Sequence, residues 1–402
     1  MITNNTQSIF STCTISSFLH LTKPVLIIAS LLAGFLCLGF TASTDAAVYE
    51  NDKVKIYGDF RARLEQDFDS QTSSGSSRDD RLRARVRVRV GMNFKPNNSI
   101  DMGVRLRTGS NDSQQSPHIT VIDFDENDTG DAHFNFDKWY LKAKSGNLYG
   151  WIGRNGLPVW KPNEMFWDDD VTPAGIAIGY NSAVGSESKL GLNAGFYSLP
   201  AGMRDFCGNM GQAQAVLKTK MNSVGITTAL GVFAIDEGSS SDSDCFGYQR
   251  NNGERDYTIW VANIQAKYKL NGRTMAVGAD YMHNTEDYAL TDPGITATNI
   301  DETDGWDVYA KYGDTKKKGN WLVGYWYARI EQFAVNSSFA QDDWVRWGSA
   351  TQTRASDMKG HELRYAYGLG SGMNLVARLY IAEAITTIED GNRFRLDFNY
   401  KF

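Results

Sequence analysis

The 402-residue chain carries 41 basic and 47 acidic side chains, a formal net charge of −6, and 42% of its residues are hydrophobic. A helical membrane bundle is excluded, because it needs several apolar runs of about 20 residues and this chain has a single one near its start.

That run, Pro24–Phe40, follows Lys23 and precedes the small-residue stretch Thr41–Ala47. A basic residue, an apolar core and small residues in that order make a secretory signal peptide, so residues 1–47 are expected to be removed near Ala46 or Ala47. An N-terminal membrane anchor is the alternative. Leu36 precedes Cys37 with no lipobox around it, which argues against a lipoprotein. Cleavage would remove one base, Lys23, and one acid, Asp45, leaving the charge at −6. Export also places the chain where disulfides persist. Cys207 and Cys245 remain, both in polar Gly/Ser/Asp-rich segments, and a loop–loop disulfide is expected between them. Two isolated cysteines are too few for a zinc site. No metal and no cofactor are expected.

From residue 48 to 402 the chain reads as one β domain with a period of two. Val54, Ile56, Gly58, Phe60, Ala62 and Leu64 alternate with Lys55, Tyr57, Asp59, Arg61 and Arg63. Leu82 to Met92 alternate in the same way with Arg81, Arg83, Arg85, Arg87 and Arg89, and Phe394 to Phe402 with Arg393, Arg395, Asp397, Asn399 and Lys401. Such alternation is strand and not helix. Sixteen strands are expected, near 53–67, 80–94, 99–109, 132–144, 147–154, 174–180, 188–198, 210–221, 223–235, 255–269, 272–284, 303–313, 319–332, 357–369, 373–385 and 391–402. Long connections (68–79, 110–131, 155–173, 199–209, 236–254, 285–302, 333–356) alternate with tight ones.

A soluble sandwich would show the same alternation. Against it stand strands of ~10–14 residues where soluble strands have a mode of ~5–6, and the absence of a second apolar layer. Aromatics also gather near strand ends, as at Trp139–Tyr140, Tyr325–Trp326–Tyr327 and Tyr400 with Phe402. An even strand count, alternating connection lengths and aromatic girdles describe an all-β transmembrane antiparallel barrel.

The arginines set its register. Facing lipid, each of Arg81 to Arg89 would cost roughly 2–4 kcal/mol near the midplane. Five would sum to about 10 kcal/mol or more, comparable to the stability of a whole domain. They are therefore expected in a wet lumen. Arg61 and Arg63 on one side, Arg105 and Arg107 on the other, and Arg393 and Arg395 across the closing seam would extend them into a basic, pore-lining column. The alternative is that each arginine pairs with a lumen carboxylate and merely satisfies the interior. The column would lie inside a barrel too narrow for a duplex, so nucleic acid is not an expected partner.

The segment after the fifth strand holds Pro158, Pro162, Pro173, Trp160, Trp167 and the run Asp168–Asp170. With Gly153–Arg154 closing the strand before it, Gly175 after it and the terminal alternation ending in Phe402, the chain resembles the putative-porin families of Gram-negative outer membranes. The resemblance implies a sixteen-strand, general-porin-like barrel whose third long loop, 155–173, folds inward as a constriction. Arg154, Trp160, Trp167, Asp168, Asp169 and Asp170 would then belong to an eyelet, the acids lying across the pore from Arg83, Arg85, Arg87, Arg105 and Arg107. Such opposed charges discriminate solutes by sign and orientation. Acids that are simply solvated on a surface loop are the alternative. Phe402 resembles the C-terminal signal read by the outer-membrane assembly machinery.

Other motifs fail. Asp123, Asp125 and Asn127 resemble the start of a calcium loop, but Asp128 stands where Gly is needed and Phe134 where Glu is needed. Neither G-x-S-x-G nor H-E-x-x-H occurs. The expectation is a non-enzymatic outer-membrane channel for passive diffusion of small polar solutes and ions, set in outer-membrane lipid and compatible with a homotrimer. A channel selective for anions or acidic sugars, or an export channel, is the second reading. A barrel enzyme or adhesin is the remote one.

Overall fold

Successive strands hydrogen-bond in one unbroken antiparallel order, and the last returns to the first. This is seen in a computed structural model, which describes residues 49–125, 132–236, 255–292, 294–344 and 355–402. Among the described residues there is no helix. The wall strands are β1 (Val54–Gln71), β2 (Arg81–Asn97), β3 (Ile100–Thr108), β4 (Phe134–Ser145), β5 (Leu148–Arg154) and β6 (Ala174–Val184). They continue as β7 (Ser188–Ala201), β8 (Asp205–Met221), β9 (Val224–Asp236), β10 (Tyr257–Leu270) and β11 (Arg273–Asn284). The rest are β12 (Asp304–Gly313), β13 (Trp321–Ile330), β14 (Met358–Gly370), β15 (Met373–Ala384) and β16 (Asp390–Lys401). The all-β, sixteen-strand antiparallel barrel expected from the alternation is the fold.

The seam closes by pairing Lys401 with Asp59, Arg395 with Glu65 and Arg393 with Asp67. Phe402 finishes it, exchanging backbone hydrogen bonds with Gly58 at 2.8 and 3.0 Å. Alternation puts apolar side chains outside, where Phe136, Ile152, Ile176, Phe196, Leu230 and Ile264 are exposed, and polar or charged ones inside. Trp326 sits between the outward Tyr325 and Tyr327 and so points inward, where it is buried. It does not join the girdle the aromatic run suggests.

Two backbone features depend on residue type. Asn271 and Gly272 turn β10 into β11 with φ of 49° and 76°, the left-handed pair a two-residue hairpin requires. Gly153 has φ of 119°, and a Cβ there would lie 2.2 Å from the Trp139 carbonyl oxygen. Glycine alone lets β5 end there and the chain leave the wall.

Several connections differ from expectation. The 199–209 loop is mostly strand, because β7 and β8 keep pairing through Pro200–Phe206 and Ala201–Asp205 and turn within three residues. Cys207 therefore lies in β8. Cys245 lies outside the described residues, as do residues 1–48, which hold the expected signal peptide. Within 110–131, a short strand Ile119–Asp123 pairs with the upper part of β2, opposing Asp123 to Arg83. Asp123 is buried there and pairs with Arg81 at 2.6 Å, which gives it a structural partner in place of calcium.

Candidate pore constriction

The site begins with three strands and their register. Along β1 the inward positions are Asp59, Arg61, Arg63, Glu65 and Asp67, opposed on β2 by Arg89, Arg87, Arg85, Arg83 and Arg81. The ends of this ladder pair acid with base, whereas its middle opposes Arg61 to Arg87 and Arg63 to Arg85. Like charges directly opposite one another are destabilising, so that block needs anions from elsewhere. From β16, Asp397 reaches Arg63 at 2.7 Å, and the Asn399 side-chain oxygen accepts from Arg61 at 2.6 Å. Glu65, fully buried, meets Arg83, Arg395 at 2.6 Å and Arg85 at 3.4 Å. Asp59 holds Arg87 and Arg89, each at 2.7 Å; Asp137 holds Arg105 at 2.5 Å; Asp67 holds Arg393 at 2.5 Å. Nine of the eleven arginines of the expected column pair with carboxylates, while Arg61 bonds the Asn399 side chain and Arg107 two backbone carbonyls, so the column is an interlocked ladder and not a bare basic wall. Arginine's fixed fork of donors suits each to two acceptors at once.

Two loops fold inward against this ladder. The first, 155–173, is pinned at both ends of its crossing. Asp170 binds Arg89 at 2.5 Å and lies 3.7 Å from Arg87, and its carbonyl accepts from the fully buried Arg107 at 3.2 Å. On the far wall, Asn163 donates to Asp307 of β12 at 2.6 Å. Trp160 exchanges two 2.8 Å hydrogen bonds with Gln214 of β8, and Phe166 packs on Phe233 of β9 at 4.9 Å. The expected opposition of the acidic triplet to the wall arginines is corrected here. Asp170 lies on the arginines themselves, where Arg89 of β2 stands opposite Arg107 of β3 and Arg87 is close by. Asp169 points to Lys161 at 2.5 Å, and Asp168 is buried. Trp167 is also buried, stacked on Phe339 at 5.4 Å. Arg154 secures the base of the loop, donating to the carbonyls of Thr172 and Met203 at 3.0 and 2.7 Å.

The second inward segment, Glu331–Trp344, is one the alternation does not announce. Phe333 to Gln341 are almost wholly buried. Gln115 donates to the carbonyls of Ser337 and Ala340, and Gln114 to that of Ser338. Two backbone bonds join the loops, Asp168 N to Phe339 O at 2.8 Å and Gln341 N to Glu164 O at 3.1 Å. Asp343 then reaches Arg395 at 2.5 Å and Arg63 at 3.9 Å.

Wall and loops enclose a chamber of about 470 Å³. Its wall side presents Arg61, Arg87, Arg89, Arg364 and Arg378 with Asp59 and Glu362; its loop side presents Glu164, Asp168–Asp170, Asp342 and Asp343. Burial and the neighbouring Asp169 push the Glu164 carboxyl up to about 8, with Lys161 opposing. Burial, Glu164 and Asp170 raise Asp168 well above the carboxylate range. Burial would raise Asp170 too, but Arg89, Arg87 and Arg107 outweigh it and hold it low.

Residues 72–242 match the sequence model of a family described as "Putative porin". The barrel resembles that of a porin. Among solved structures, the fold here resembles Pseudomonas putida OprB at high pH, with a TM-score of 0.57 at 12% identity, covering 87% of this chain and 94% of that one. It also resembles Salmonella typhi OmpF in complex with daunomycin, with a TM-score of 0.50 at 11% identity, covering 89% and 100%. No curated protein matches the sequence. The constriction thus combines arginines that alternation had placed with carboxylates, some of which it had also placed. Asp59 and Asp397 occupy the same face as the arginines, so their place in the lumen was legible from the strand pattern, though not their partners. Asp343, Asn163 and Asp307 carried no such signal.

Proposed function

We propose that this chain is an outer-membrane porin, exported through a signal peptide spanning residues 1–47, that admits small polar and charged solutes by passive diffusion and makes or breaks no bond. The observation that carries this reading is the chamber between the arginine ladder and the two inward loops. It is polar, of solute size, and lined by arginines and carboxylates together, so an ion or dipole passing through it meets charges of both signs. Phe402, closing the seam, is the residue for the assembly machinery to read, and a homotrimer in outer-membrane lipid is the matching assembly.

Single-channel recording of the purified chain in planar bilayers tests the reading. Stepwise conductance is expected, with a reversal potential in a KCl gradient that moves when constriction charges are changed. Bilayers that show no conductance steps at any protein concentration would sink it. The second reading, a channel selective for particular anions, draws on the crosswise pinning of the 155–173 loop, which leaves a chamber where a wider pore would otherwise be.

A further inference from the structure

The carboxylates that meet the middle of the arginine ladder are of two kinds. Glu65 and Asp397 belong to the wall strands, and their side chains are closed to solvent. Asp343 arrives from a loop, and its side chain keeps 32% of its surface exposed toward the chamber. Its Oδ1 lies 2.5 Å from Arg395 and 3.9 Å from Arg63, and its backbone carbonyl accepts from Arg393 at 2.9 Å. Arg61 and Arg378, which line the same chamber, complete the surround.

We infer that Arg61, Arg63, Arg378 and Arg395 form a carboxylate-binding site on the channel wall, which Asp343 occupies as a tethered ligand and from which a permeating carboxylate solute displaces it. This rests on the porin reading and names the solute class that its constriction engages. The charge balance points the same way. Asp397 is shared between Arg63 and Arg378, Glu362 between Arg378 and Arg364, and Glu65 among Arg395, Arg83, Arg85 and Arg63. These wall acids leave surplus guanidinium charge in the cage, which the Asp343 carboxylate offsets in part. Guanidinium forks pair with oxyanions two oxygens at a time, and the occupant seated on these arginines is a carboxylate. The strength of the site is visible on its present occupant: burial would raise the Asp343 carboxyl, yet Arg395, Arg63, Arg378 and Arg61 hold it far below the ordinary range.

A tethered ligand competes at an effective concentration on the order of millimolar. Removing its charge should therefore tighten the binding of a free carboxylate, the reverse of what the loss of a merely structural ion pair would do. The experiment is calorimetric titration of the full chain in detergent micelles with succinate, with succinamide as its uncharged twin and sulfate as a tetrahedral dianion. Asp343→Asn keeps the backbone carbonyl that Arg393 uses and should bind succinate at least tenfold more tightly than wild type. Succinamide should bind neither. Arg61→Gln, whose side chain holds only the Asn399 oxygen among the hydrogen bonds described, should weaken succinate in wild type and variant alike. It serves as the test should the Asp343 variant not fold. Succinate binding no tighter in the Asn variant, or unchanged by Arg61→Gln, overturns the proposal. Sulfate binding as tight as succinate would overturn the carboxylate assignment. Parallel bilayer recording separates the two readings. Succinate binding without conductance refutes the porin and leaves the site standing, and conductance without binding refutes the site alone.

Discussion

Replacing Glu65 by Gln removes the charge on which four arginines converge. The side chain is fully buried, with Arg83 in direct contact and Arg395, Arg85 and Arg63 at 2.6, 3.4 and 3.8 Å. At an effective dielectric of about 20, a unit pair 4 Å apart attracts by about 4 kcal/mol, so each contact is of that order before desolvation is subtracted. Burying the carboxylate takes back several kcal/mol, which keeps the net value of such a site small. Removal is different, because it strands guanidiniums already out of water, at a cost of about 3–5 kcal/mol. Against a total stability of about 5–15 kcal/mol this is a large fraction. Gln keeps the shape and one acceptor oxygen, so the loss should fall near 3 kcal/mol. Urea unfolding of the barrel refolded into vesicles, followed by tryptophan fluorescence, measures it. A loss under about 1 kcal/mol would refute the argument that Glu65 is the electrostatic hub of the ladder. A double variant with Arg83→Gln should recover part of the loss, because it removes one stranded charge.

Asp170→Asn should leave the loop seated through the Asp170 carbonyl on Arg107 while adding one positive charge to the constriction. A unit charge acting through water at about 7 Å is worth about 0.6 kcal/mol, favourable for the anion and unfavourable for the cation, so the permeability ratio in a KCl gradient should move toward anions by about sevenfold; the double change Arg87→Gln, Arg89→Gln should move it toward cations. Glu164, with its carboxyl pushed up to about 8 by burial, is neutral below that pH and ionises above it. Raising the pH from 7 to 9 should therefore increase cation preference, and Glu164→Gln should abolish that step in the reversal potential. The same raised value means that the folded loop seam holds its proton more tightly than the unfolded chain. Its stability should thus decline as pH rises from the ordinary carboxylate range, about 4.3, through 8. Cys207 and Cys245 are proposed to be disulfide-bonded, so the unreduced, denatured chain should run faster on a gel than the reduced one, and Cys207→Ser should erase the difference.

The wall of this barrel was legible residue by residue. Alternation is a local property of a strand, and the cost of arginine in lipid leaves one choice of face, so Arg81 to Arg89 could be turned inward without knowing any neighbour. The same logic applied to Asp59 and Asp397, whose place on the inner face follows from the arginines beside them. What those side chains do there depends on which strands adjoin and in what register. Glu65 meets Arg395 only because the barrel closes across 330 positions, and no periodicity within β1 or β16 contains that fact. The loops lie further from the sequence still. Segment 155–173 was marked by its prolines, tryptophans and aspartates, yet where Asp170 comes to rest was decided by like-charged arginines forced opposite one another in the ladder. Segment Glu331–Trp344 has small and apolar residues without a repeating pattern. It lies buried because the barrel supplies a cavity that the other loop fills only in part. Cys207 was drawn into β8 for a related reason, since strand pairing continues upward as long as a neighbour offers unpaired backbone groups, whatever the polarity of the residues there. Local spacing determined the strands and their faces, while charge balance and space filling, which sum over the whole closed barrel, decided the constriction.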